Sequence, residues 1–122
     1  MGGRAARSAA LGDARPFGGH VTLRTPLTAE QVAERLAATG WAGDTAEITR
    51  TFAVEYDLAM RIVAEIATAA IELEHRPDID IRWDRLRFAM TTHTAGDVVT
   101  ELDFKTAERI NEIATRHGAG AA

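Results

Sequence analysis

The chain contains no cysteine, which excludes a disulfide framework, a thiolate metal site and a cysteine nucleophile, and weakly favours an intracellular, cytoplasmic setting. It also lacks an excess of positive charge: 14 Lys and Arg stand against 18 Asp and Glu, for a formal net charge of -4. Binding along a nucleic-acid backbone rests on clustered lysine and arginine, so nucleic acid is not expected as a partner. Nor is a membrane. The longest apolar run, in the segment from Ile62 to Ile71, is broken by Glu65 and is far shorter than the roughly 20 residues a spanning helix needs. The first twenty residues mix Gly, Ala and Arg without the continuous apolar centre of a secretory signal and without a periodic apolar face. Residues 1–25 are therefore expected to be a disordered tail, and residues 119–122 a second one. With 122 residues in all, there is room for one domain, placed at residues 26–118, and not for two.

What is present is an ordinary globular composition, 46% hydrophobic and 26% charged. In "TPLTAEQVAERLAATGW", Thr28 and Gln31 have capping-box spacing, Val32, Ala33, Leu36 and Ala37 form an apolar stripe, and Gly40 ends the helix. In "EITRTFAV", Ile48, Phe52 and Val54 alternate with Thr49, Thr51 and Ala53. That is the period of a strand, with Arg50 interrupting the apolar face. Trp41 opens a partner strand that turns back through "AGD". "YDLAMRIVAEIATAAIELE" is apolar over a wide helical face and predicts the core helix, which ends before Pro77. "IDIRW" and "LRFAMTTH" both alternate and are separated by a tight turn near Asp84, so they predict a hairpin. A last helix opens at Thr100 and Asp103 and closes at Gly118. The order α-β-β-α-β-β-α predicts an α+β fold, a four-stranded antiparallel sheet with three helices packed on one face.

Two histidines then stand out. His75 lies at the end of the core helix and His93 at the end of the hairpin. A hairpin returns the chain to its starting point, so these two imidazoles, eighteen positions apart, can meet in space. Asp103, in the first turn of the last helix, falls near the same end of the sheet. Imidazole titrates near neutral pH and can both donate and accept a proton within one cycle. Each residue also has a structural explanation: a helix C-terminus favours a histidine through its dipole, and a capping carboxylate accounts for Asp103. As metal ligands the three are unconvincing, because no His-x-x-x-His pair supplies two ligands from one helix face and cysteine is absent.

Taken together, "HRP" at 75–77, Trp83, "TTH" at 91–93, Asp103, "GW" at 40–41 and "FAVEYDLAM" ahead of the core helix resemble the pterin-4a-carbinolamine dehydratase family. The resemblance runs colinearly over about residues 27 to 115. It implies an enzyme that removes water from a 4a-hydroxy-tetrahydropterin in pterin recycling, without cofactor or metal, with His75 and His93 as the acid/base pair. It implies that Arg76, Pro77, Trp83, Thr92 and Asp103 contact or orient the substrate, and that the chain forms a homodimer or homotetramer.

Three departures accompany the match. The family's second histidine of the triplet is Arg76, which stays protonated and cannot shuttle a proton. Its acidic residue four positions before the first histidine is Ile71, with Glu72 about 100° round the helix. The loop from His93 to Asp103 is slightly longer than common. Two functions therefore follow from the resemblance. One is a working dehydratase. The other is a catalytically inactive scaffold that binds a protein partner, as family members do in assisting a transcription factor or Rubisco assembly.

Overall fold

The computed structural model describes residues 23–122. The order of elements is α1 (Ala29–Thr39), β1 (Ala42–Gly43), β2 (Ile48–Ala53), α2 (Tyr56–Leu73), β3 (Asp78–Arg82), β4 (Arg85–Met90), α3 (Glu101–Arg116) and β5 (Gly120–Ala121). This is the expected α+β architecture, with one strand added. No helix among the described residues is long and apolar enough to cross a membrane.

Local chemistry explains the elements. Thr28 Oγ1 accepts from Gln31 N while Gln31 Oε1 accepts from Thr28 N, a complete capping box, and α1 stops at Gly40, whose φ is 79°. The β1–β2 turn depends on Gly43. Its φ is 136°, and a Cβ there would lie 2.1 Å from the Glu47 carbonyl oxygen, so any other residue must displace the backbone. Asp44 Oδ1 accepts from Ala46 N at 2.8 Å and closes the same turn.

All strand pairs are antiparallel, in the order β1-β2-β4-β3, with β5 also pairing β2. The long β2–β4 pair sets Phe52 opposite Leu86 and Ile48 opposite Met90, and these side chains are buried on one face. Ile62 and Ile66 of α2, Ile110 of α3 and Val32 of α1 complete the same core. Phe52 meets Phe88 edge-on, with centroids 6.1 Å apart. Arg50, the charge on this apolar face, is accommodated at its margin. Its Nη1 donates to Thr39 O at 2.9 Å and Asn111 Oδ1 at 3.0 Å, and its guanidinium lies 4.7 Å over the Phe52 ring.

The tail expected at 119–122 is instead strand. After α3 the chain turns back, Gly120 and Ala121 pair with β2, and Ala122 N donates to Thr51 O at 3.2 Å. The free edge of β2 beyond β1 supplies the unpaired backbone groups that capture it. At the other terminus, the expected tail lies outside the described residues up to 22. Leu23 already accepts a hydrogen bond from Leu102 N at 3.1 Å, and Pro26 bridges Thr100.

Two backbone bonds fix the direction of α2 across the sheet. Val54 N donates to Asp84 O and Tyr56 N to Trp83 O, tying the start of α2 to the tip of the β3–β4 hairpin. The C-terminus of α2 therefore arrives at the opposite end, where β3 begins and β4 finishes. His75 and His93 lie at that end.

Candidate active site

α2 ends at Leu73 and the chain enters β3 through Glu74-His75-Arg76-Pro77. Glu74 takes φ 54°, the left-handed conformation usually left to glycine, and His75 N donates to Ala70 O at 3.0 Å. This pair of turns is a Schellman-type closure with a strained non-glycine residue at its pivot. It turns the His75 ring inward, where the residue is only 9% exposed.

There His75 Nε2 lies 2.5 Å from Asp103 Oδ1. Asp103 is fully buried, and a buried carboxylate is tolerated only when its lone pairs are engaged. Oδ2 accepts from Thr92 Oγ1 at 2.7 Å and from Thr100 N at 2.9 Å. Because the Thr92 proton goes to Asp103, the 2.8 Å contact between Thr92 and Thr100 must use the Thr100 hydroxyl as donor. Thr100 Oγ1 in turn accepts from Leu102 N at 3.2 Å. Asp103 thus caps α3 and orients His75 at once. With Nε2–H directed at the carboxylate, Nδ1 keeps its lone pair, and it has no partner among the described residues.

His93 is in a different setting. It opens a short 3-10 turn, His93–Ala95, and its Nδ1 lies 2.6 Å from Asp97 Oδ1. Both side chains are open to water, 79% and 73% exposed. The hydrogen bond to Asp97 and then its charge hold the His93 imidazolium, so its pKa is raised above the ordinary histidine value. Asp97 N donates back to Thr92 O at 3.2 Å, which folds this loop onto the buried network.

His75 and His93 line one open cleft of about 230 Å³, together with Arg24, Glu74, Arg76, Thr91, Thr92 and Thr94. Of the residues singled out from the sequence, His75, Arg76, Thr92 and His93 face this cleft, Pro77 follows them in the connecting turn, and Asp103 stands behind His75. Trp83 is apart from them. It sits at the hairpin tip, 79% exposed and hydrogen-bonded through its carbonyl to the first residue of α2. The 18 residues of α2 separate it from His75 by roughly 27 Å at 1.5 Å per residue. Ile71, at the family's acidic position, is 61% exposed.

Four lining residues were not singled out from sequence, Arg24, Glu74, Thr91 and Thr94. Arg24 comes from the segment before α1, which periodicity treats as tail. Glu74 looks like an ordinary charged helix end. Thr91 alternates outward from the strand and by its position reads as surface, yet its Oγ1 is buried without a hydrogen-bond partner among the described residues. An orphan hydroxyl in a cleft wall is a ready ligand contact; only the tertiary environment reveals it.

A two-layer α+β domain with a carboxylate-held histidine and a second, exposed histidine on one cleft is suited to proton transfer at a small organic ligand. The family model for pterin 4 alpha carbinolamine dehydratase matches residues 25–113, and the chain belongs to that family. A protein of Streptomyces coelicolor provisionally named pterin-4-alpha-carbinolamine dehydratase is 35% identical over 96 residues, covering 77% of this chain and 95% of the relative. One from Chloroflexus aurantiacus with the same provisional name is 43% identical over 89 residues, covering 71% and 95%. Among solved structures, a transcriptional coactivator/pterin dehydratase from Brucella melitensis superposes with a TM-score of 0.69 at 33% identity, covering 74% of this chain and 99% of that one.

Proposed function

We propose that the chain dehydrates 4a-hydroxy-tetrahydropterins to quinonoid dihydropterins. One observation carries this reading: both candidate acid/base histidines line a single cleft, and one of them is held at 2.5 Å by a buried carboxylate. Family membership supports the substrate class.

The roles follow from the two environments. His93, held towards its charged form by Asp97, is the general acid. It delivers a proton to the departing 4a-hydroxyl, the C4a–O bond breaks and water leaves. His75, with Nδ1 free and Nε2–H braced by Asp103, is the general base. It takes the N5 proton, and the N5–H electron pair becomes the C4a=N5 double bond. The imidazolium formed on His75 is stabilised by the Asp103 carboxylate. One proton has moved from His93 to His75, and exchange with solvent resets both. Thr91 holds the ring edge, while Thr92 and Pro77 keep the wall in place.

Purified protein incubated with enzymatically generated 4a-hydroxy-tetrahydropterin is expected to form quinonoid dihydropterin faster than the spontaneous reaction. No rate above that background ends the proposal. Arg76 and Ile71, at positions where the family pattern has histidine and an acidic residue, favour a second reading, a non-catalytic scaffold for a protein partner. It predicts that background result together with an intact fold. Self-association belongs to either reading, because β3 is an edge strand with Ile79 at its exposed margin. A homodimer or homotetramer is expected by light scattering.

A further inference from the structure

The cleft carries charge that dehydration does not use. Arg24 and Arg76 both line it, and neither guanidinium has a hydrogen-bond or ion-pair partner among the described residues. Glu74 lines the same wall without pairing with either. The whole chain has a net charge of -4, so two unpaired arginines on one small cleft reverse the overall sign locally.

Their backbones are held in place from both sides. Arg24 follows Leu23, whose carbonyl accepts from Leu102 N at 3.1 Å, and precedes the Pro26–Thr100 bridge and the 3.1 Å bond from Leu27 N to Val99 O. Arg76 stands between His75, tied to Ala70 O, and Pro77. The two cations thus flank the cleft from different parts of the chain, one beside the start of α3 and one beyond the end of α2. Guanidinium groups are suited to carboxylate and phosphate oxygens through paired, charge-assisted hydrogen bonds. The cleft volume, about 230 Å³, is below the roughly 300–1,000 Å³ of pockets that enclose a whole drug-sized ligand. A fused bicyclic ring that fills it leaves any side chain at the rim, where the arginines stand.

We infer that Arg24 and Arg76 select pterins whose C6 side chain ends in an anion, a phosphate ester or a carboxylate. The inference rests on the dehydratase reading of the same cleft. The test is calorimetric binding of three stable oxidised pterins that differ at C6: a neutral dihydroxypropyl group, its terminal phosphate monoester, and a carboxylate. At least one anionic pterin is expected to bind about tenfold or more tightly than the neutral one. Which anion gains distinguishes a phosphorylated from a carboxylated side chain. The advantage should shrink between about 0.1 M and about 1 M salt, as the Debye length falls from about 10 Å to about 3 Å. In the Arg24→Gln/Arg76→Gln double variant the ratio of affinities should fall to about one, and Arg24→Lys/Arg76→Lys should restore part of it. Equal affinity for all three in the parent protein overturns the inference and leaves the dehydratase reading standing. So does an anionic preference that survives the double Gln variant, since it assigns selection to other groups. If no pterin binds a folded protein, the dehydratase reading falls and the inference falls with it.

Discussion

Two imidazole–carboxylate pairs of almost equal length sit at one end of this sheet and have different physical consequences. His75–Asp103 spans 2.5 Å and His93–Asp97 spans 2.6 Å. The side chains of the first are 10% and 0% exposed, those of the second 79% and 73%. Length therefore does not say what each pair contributes. In the buried pair the Asp103 carboxylate is shielded from water and both its oxygens accept hydrogen bonds, so removing one partner strands a charge and the geometry is rigid. In the exposed pair water and salt screen the attraction. What remains is a bias in the proton equilibrium of His93. One pair fixes a position; the other tunes a charge.

The comparison breaks most severely at Asp103. Asp103→Ala removes the acceptor for His75, Thr92 and Thr100 N together, and should lower the unfolding free energy by about 3 kcal/mol or more in urea titration. It should also abolish measurable dehydration. His75→Ala should reduce kcat/KM about a hundredfold to ten-thousandfold, the range of a lost general base. Equal losses for His75→Ala and an unrelated surface change would remove His75 from the mechanism. His93→Ala should cost about a hundredfold in rate with only a small change in thermal midpoint, since its side chain is solvated and the pair it loses is screened.

A finer test is Asp97→Asn. The folded pKa of His93 is raised above its ordinary value, so the pair stabilises the fold fully below the unfolded value, near 6.5, and this contribution is lost as pH rises through the folded value. The same protonation gives the acid for catalysis, so activity should decline as pH climbs past that raised pKa. Asp97→Asn should move both the NMR titration of His93 and the alkaline limb of the rate profile to lower pH. An unmoved limb would show that another group is the acid. The smallest effect is expected at Glu74. Glu74→Gly relieves the left-handed conformation at φ 54° and should raise stability by about 1 kcal/mol, read from the same urea titration.

Much of this arrangement was legible from residue spacing. The capping boxes at Thr28–Gln31 and Thr100–Asp103, the alternation of Leu86, Phe88 and Met90, and the Gly40 stop are local signals, and each holds in the structure. The convergence of His75, His93 and Asp103 was also foreseeable, because a hairpin after a helix must bring its last residue back to the helix end. Residues whose roles depend on non-local partners were not. Arg50 looks like an interruption of a strand until Asn111, 61 positions later, gives it an acceptor. Arg24 looks like tail until Leu102 N binds the preceding carbonyl. Trp83 looks like a substrate contact by its place in the family motif, yet the β3–β4 turn holds it at the far end of the sheet.

By itself the sequence determined the elements and their order, since helix caps, turn residues and apolar periods act over four or five residues and need no knowledge of the rest. It also determined which side chains could exchange protons. Only the tertiary structure decided that one carboxylate is sealed from water and the other is not, that the last residues extend the sheet, and that two arginines without partners among the described residues stand at the cleft. Burial and charge pairing depend on segments far apart in the chain, and those distances close only when the helices pack onto the sheet.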